Sequence, residues 1–108
     1  HHNRKADAPS GTAKMLLEAV DPASERSVAY GREGIVGPRP AGEIGMHSLR
    51  GGTVAGTHEV LFFGDDEEVV LTHRATSRQI FVNGAISAAK RLLAHEPGFY
   101  DFDTLMFG

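Results

Sequence analysis

The 108-residue sequence has the size of one domain, and its 41% apolar and 23% charged content is typical of a soluble globular protein. The formal net charge of −3 offers no basic footprint for nucleic acid, and no run of about 18 apolar residues is long enough to cross a membrane. The absence of cysteine excludes disulfides and cysteine-ligated zinc, and it fits a cytoplasmic protein.

The first thirteen residues place two imidazoles, a guanidinium and an ammonium directly before a predicted helix start. Ser10 is a residue type that accepts from a free backbone N–H of a first helical turn, and apolar residues then recur at helical spacing, which predicts a helix over 12–20. The free N–H groups of Gly11 and Thr12 would face the same space as the cations, and a helix N-terminus favours carboxylate or phosphate. This end of the chain is therefore predicted to be half of an active site.

The middle of the chain is predicted to form a long loop and then strands. Residues 31–42 are rich in glycine and proline and lack periodicity, and long surface loops are often functional or involved in assembly. The segments 44–49, 54–63 and 68–75 have strand patterns separated by turn residues. They predict an antiparallel meander whose exposed edges need partners or cover.

A second amphipathic helix is predicted over 77–94, where apolar residues recur at three- and four-residue steps. The tail after Pro97 carries half of the aromatic residues and is too short to bury them by itself, so they are expected to pack on this domain or on another one. The predicted fold class is α+β, with a mostly antiparallel or mixed four-stranded sheet, two main helices on one face and a long Gly/Pro loop.

One motif near the start resembles the signature of the dihydrodipicolinate reductase family, the NAD(P)H-dependent enzymes of the diaminopimelate route to lysine: His1-x-x-x-Lys5-x-Asp7-x-Pro9-Ser10-Gly11-Thr12-Ala13. Native histidines are expected at the first two positions of that motif, which favours them over the remnant of an affinity tag. Further matches follow in the family's order over essentially the whole chain: Arg32-Glu33-Gly34, Gly56-x-His58, Thr72-His73, Ser77-Arg78 and Asn83-Gly84-Ala85.

The resemblance implies that residues 1–108 form the C-terminal domain of such an enzyme, which binds substrate and forms the tetramer. The family's N-terminal dinucleotide-binding domain is expected to be absent, because no Gly-x-Gly-x-x-Gly turn occurs in this sequence. NADPH or NADH would then be bound mainly by that other domain, and this chain alone would be inactive. A homotetramer is implied, joined through the sheet and the 31–42 loop.

The substrate implied by the resemblance is a cyclic dicarboxylate, 4-hydroxy-tetrahydrodipicolinate, which is reduced to tetrahydrodipicolinate. Its two carboxylates need cations and N–H donors, and an arginine can bind a carboxylate through two parallel hydrogen bonds. We expect six residues to contact this substrate: His2, Lys5, Ser10, Gly11, Thr12 and Arg78.

The same resemblance implies where the proton comes from. Hydride addition to the ring leaves an enamine that must be protonated. His1 is the expected general acid, because imidazole titrates near neutral pH, and the family implies Lys5 as a second proton donor.

Other interpretations remain open at this stage. His47, His58 and His73 lie on predicted strands, but no carboxylates are clearly placed beside them and such histidines usually form structural hydrogen bonds, so no metal site is predicted. Arg78 is either a substrate contact or an exposed surface cation. The rival hypothesis for the whole chain is a self-associating structural module without a ligand site of its own.

Overall fold

The computed structural model describes all 108 residues and contains three helices and two sheets of two strands each. The chain divides into two compact units, His1–Arg74 and Ala75–Gly108. The α+β class is confirmed. The predicted four-stranded sheet is wrong, because the strands pair in two separate sheets. The two main helices belong to different units.

Helix α1, Gly11–Val20, opens the first unit and begins one residue before the predicted start. Ser10 precedes it in an extended conformation, and its hydroxyl oxygen accepts from the backbone N–H of Ala13 at 3.1 Å. The helix ends at Asp21, a buried residue whose carboxylate accepts from two backbone N–H groups of the following turn. Both ends of α1 are therefore fixed by side-chain hydrogen bonds.

The small sheet of the first unit consists of β1, Val28–Ala29, and β2, Ile44–Gly45, paired in parallel. The 31–42 loop connects them, and an ion pair between Arg32 and Glu43 closes its base. The predicted strand over 44–49 is thus reduced to its first two residues. Parallel pairing requires a long connection between strands, which the loop provides and a meander does not.

The longer strands form a hairpin. β3, Gly56–Gly64, pairs with β4, Glu67–Ala75, and a two-residue connection of this kind joins antiparallel strands. Asp66 in the turn has a φ of 58°, a conformation that aspartate tolerates better than most residues. Helix α1 packs against β3, which brings the start of the helix close to the start of this strand.

The second unit contains α2, Gln79–Leu92, and α3, Phe102–Phe107, which pack against each other. Helix α2 lies within the predicted range, whereas α3 was not predicted. Asp101 caps α3 by accepting from the N–H of Thr104 at 2.8 Å, and this hydrogen bond lowers the pKa of the Asp101 carboxyl. No helix of the chain combines the length and the apolar character that a membrane crossing requires.

Very little apolar surface is buried within the chain. Ala75 is the one buried apolar residue, and Ser10 and Asp21 are the buried polar ones. Large apolar side chains are normally the residues that fill a domain core. Here the hairpin leaves six of them exposed: Leu61, Phe62, Phe63, Val69, Val70 and Leu71.

Candidate active site

The first residues of the chain are held along the turn that precedes β3. The backbone nitrogen of His1 donates to the carbonyl of Leu49 at 3.1 Å, and the His1 carbonyl accepts from Gly51 at 3.0 Å. Asn3 donates to the carbonyl of Gly52, also at 3.1 Å. These hydrogen bonds give the His1 side chain a fixed position beside the start of β3.

Two imidazoles and one hydroxyl meet at that position. The rings of His1 and His58 lie edge to face, with centroids 5.2 Å apart. His58 Nε2 lies 3.0 Å from Ser10 Oγ. Gly56 makes room for both rings, because a Cβ atom there would lie 3.3 Å from His1 Nε2 and 3.9 Å from His58 Cε1. Partial burial, the first of several causes, lowers the pKa of His58 and so favours its neutral form.

The first turn of α1 offers backbone donors next to this cluster. Ser10 is only 6% exposed and uses its hydroxyl to cap the helix, whereas Gly11 and Thr12 are exposed. The N–H groups of Gly11 and Thr12 precede the first intrahelical hydrogen bond, so they are free to bind an anion. The predicted donors at the helix start are therefore present and accessible.

Lys5 is the nearest cation that precedes this turn in sequence, and it is paired. Its Nζ lies 2.8 Å from Asp7 Oδ1, and the hydrogen bond from Lys5 is the main reason that the pKa of Asp7 is lowered. His2 precedes them, and its Nδ1 accepts from the backbone N–H of Arg4 at 3.1 Å. An ammonium has three donors, so Lys5 can keep Asp7 and still bind an incoming carboxylate.

Arg50 was not identified from the sequence, yet it ties this segment to the turn before β3. Its two terminal nitrogens donate to the carbonyls of Asp7 and Leu49, each at 2.8 Å. The Ala8–Pro9 peptide bond between Asp7 and the helix is cis. The two hydrogen bonds of Arg50 fix the segment that carries Lys5 to the strand side of the site.

An open cleft of about 270 Å³ lies beside the first turn of α1. Thr12 borders it from the helix and His58 from β3, so donors from both elements face one space. Its lining residues are Thr12, Leu16, His58, Val60, Leu71, Thr72 and His73.

The structure brings most of the predicted site residues into one unit, but not all of them. Arg78 belongs to the second unit, where it directly precedes α2 with an exposed side chain that caps nothing. Its contact with substrate stays a prediction.

The contacts of His58 with Ser10 and of Arg50 with Asp7 were not predicted from the sequence, because each joins residues more than 40 apart in the chain. No group of three or more His, Asp or Glu side chains is spaced to hold a metal ion.

The family model described as dihydrodipicolinate reductase, C-terminus, matches residues 1–106. Three similar proteins, from Akkermansia muciniphila, Staphylococcus saprophyticus and Brachyspira hyodysenteriae, are each named 4-hydroxy-tetrahydrodipicolinate reductase. They are 54%, 49% and 53% identical over 98%, 97% and 93% of this chain. The chain spans 45%, 44% and 44% of their lengths, which is less than half of each.

Proposed function

The chain belongs to the dihydrodipicolinate reductase family through its C-terminal part, and we propose that it forms the substrate-binding and catalytic half of a reductase. The reaction is the NAD(P)H-dependent conversion of 4-hydroxy-tetrahydrodipicolinate to tetrahydrodipicolinate, which the names of the relatives support. One observation carries the proposal. The free N–H groups of Gly11 and Thr12 lie at the end of a segment that bears His1, His2 and Lys5.

In the proposed complex, one carboxylate of the substrate accepts from the N–H groups of Gly11 and Thr12 and from the Thr12 hydroxyl. The partial positive charge of the helix start adds to these hydrogen bonds. Lys5 and His2, in the segment that precedes α1, supply the positive charge that neutralises the substrate dianion. The cleft bordered by Thr12 supports this placement, because it opens next to the donors.

Proton transfer is assigned to His1, with Lys5 as a second donor. The cofactor supplies hydride when it is bound. No Gly-x-Gly-x-x-Gly turn occurs in this sequence, so this chain lacks the glycine-rich turn that holds a dinucleotide. The cofactor is therefore proposed to bind mainly to a part of the protein that corresponds to the remaining length of the relatives. The contribution of this chain is the anion site and the proton that completes the reduced ring.

Titration calorimetry with pyridine-2,6-dicarboxylate, a planar analogue of the substrate, tests the anion site in the intact protein that contains this chain. We expect one molecule bound per chain, and a large loss of affinity in Lys5→Ala. Lys90→Ala, which removes a cation from the last turn of α2, is the matched control and should bind as the wild type does. Absence of binding by an ordered wild-type protein would contradict the proposal.

A second role, self-association, is supported by a different observation. The hairpin leaves Phe62 and Phe63 exposed, and the 31–42 loop exposes Ile35 and Val36. Exposed apolar groups of this size usually mark contact surfaces, and oligomers of identical chains use such surfaces symmetrically. We propose that the hairpin and the loop join four copies into a homotetramer.

Light scattering tests this second role. A tetramer is expected for the wild type, and Phe62→Lys should reduce its mass because a buried lysine would cost more than the contact contributes. A tetramer that does not bind pyridine-2,6-dicarboxylate would favour a purely structural module over the reductase half. A monomeric wild type would exclude the tetramer.

A further inference from the structure

The contact between Ser10 and His58 joins two elements that are 48 residues apart in sequence. Ser10 Oγ lies 3.0 Å from His58 Nε2 and also accepts from the N–H of Ala13 at 3.1 Å. One hydroxyl therefore links the start of α1 to β3. Which partner donates to the other depends on the tautomer of the imidazole, but a hydrogen bond forms with either neutral tautomer.

The consequence for binding follows from the position of Ser10 in the chain. Gly11 and Thr12 come directly after it, so the orientation of their N–H groups depends on how the Ser10 backbone enters the helix. We propose that His58 is a positioning residue which, by holding Ser10, aims these two N–H groups at the substrate carboxylate. This inference rests on the function proposed above and gives His58 a role that it performs through Ser10.

His58 is itself held on several sides. Its ring lies edge to face against His1, and the absence of a side chain at Gly56 leaves space for both rings. It belongs to β3, the strand against which α1 packs. His73 borders the same cleft from β4. A side chain fixed in this way can transmit the position of the strand to the start of the helix.

The test uses three variants of His58 in the intact protein. His58→Phe keeps a planar ring and loses both nitrogens. His58→Gln places an amide near the position of Nε2, whereas His58→Asn ends near the position of Nδ1 and does not reach Ser10. We expect Phe and Asn to weaken the binding of pyridine-2,6-dicarboxylate roughly three- to tenfold, the effect of one net hydrogen bond, and Gln to retain most of the affinity.

Kinetics separates positioning from chemistry. In His58→Phe, KM should rise with the dissociation constant while kcat stays within about twofold, because the interaction lost is the same in ground state and transition state. In a Ser10→Ala background, His58→Phe should cause no further loss, since His58 acts through the Ser10 hydroxyl. His47→Phe replaces an exposed histidine outside the cluster and should leave binding unchanged.

Different failures have different meanings. If the wild type binds the dicarboxylate and His58→Phe binds it equally well, the positioning role is overturned. Equal binding by the Gln and Asn variants overturns it too, and this comparison still applies if the Phe variant does not fold. A loss of kcat at constant KM would assign His58 to the chemistry instead. A wild type that does not bind the dicarboxylate overturns the proposed function and the positioning role together.

Discussion

Lys5 and Asp7 form an ion pair in the segment that leads into α1, with 2.8 Å between Nζ and Oδ1. The lysine side chain is 21% exposed and the aspartate side chain 63%, so the carboxylate lies on the solvent side of the pair. The ammonium is therefore directed by a partner while its remaining donors stay available. Asp7 therefore has two effects on Lys5 that a mutation can distinguish: it orients the ammonium, and its charge competes with an incoming anion.

Replacing Asp7 with asparagine should change binding and turnover in opposite directions. Asp7→Asn removes a negative charge that competes with the substrate dianion for Lys5, so affinity for pyridine-2,6-dicarboxylate should rise roughly two- to fivefold. The same change leaves the ammonium less well directed, so kcat should fall. Calorimetry and steady-state kinetics check the two effects, and a parallel fall in affinity would contradict this account.

Arg50 should be sensitive even to conservative replacement. Its guanidinium donates to the carbonyls of Asp7 and Leu49, and a lysine ammonium cannot reproduce that fork. Arg50→Lys is expected to lose about 1 kcal/mol of unfolding free energy and to weaken dicarboxylate binding roughly three- to tenfold. Urea unfolding and calorimetry measure both. Arg74→Lys, an exposed change on β4, is the control, and equal effects in the two variants would refute the role given to Arg50.

Local sequence patterns were sufficient for the elements whose causes are local. The period of apolar residues predicted α1 and α2 within a few residues, and the capping role of Ser10 follows from its residue type and place. The hairpin was predicted because its two strands are joined through a short acidic turn. Helix α3 was not predicted, because six residues are too few for a helical period to be recognised and Asp101 as a helix cap is a weak signal by itself.

Features that depend on distant pairing could not be predicted in the same way. β1 has only two residues, so no strand pattern is long enough to indicate it. The pattern over 44–49 includes β2, but it could not show that β2 pairs with β1 across the 31–42 loop. The contact of Ser10 with His58 is of the same kind. The motif predicts site residues at the start of the chain, but the partners that hold them, His58 on β3 and Arg50 before it, are brought close only by tertiary packing.

Gly56 should be intolerant of even a methyl group. Its φ is not positive, so an alanine there would not strain the backbone. The conflict is steric, because an added Cβ would lie 3.3 Å from His1 Nε2. Gly56→Ala is expected to push the His1 ring from its position and to lower kcat about tenfold, which is less than the roughly 100-fold or more expected for complete loss of a general acid, because the ring is displaced and not removed. Gly51→Ala is the matched control, because a Cβ there meets nothing within 4 Å. Unchanged kcat in Gly56→Ala would contradict the role of His1.

The titration of His58 should appear in the stability of the protein. Partial burial is the main cause that lowers its pKa below the usual 6.5, with a smaller effect from His73. In the unfolded chain this ring regains its ordinary pKa. As pH falls below 6.5, the unfolded state therefore binds more protons at this position than the folded state does, and the free energy of unfolding decreases.

The comparison with His58→Gln isolates that contribution, since glutamine does not titrate. The difference in unfolding free energy between wild type and His58→Gln should be constant well above pH 6.5 and should shrink as the pH falls through that value, until the folded ring is protonated as well. Urea unfolding at a series of pH values measures it. If the unfolding free energies of wild type and His58→Gln stayed parallel over the whole pH range, His58 would be as easily protonated in the folded protein as in the unfolded one. That result would contradict the lowered pKa expected for its partly buried position beside Ser10.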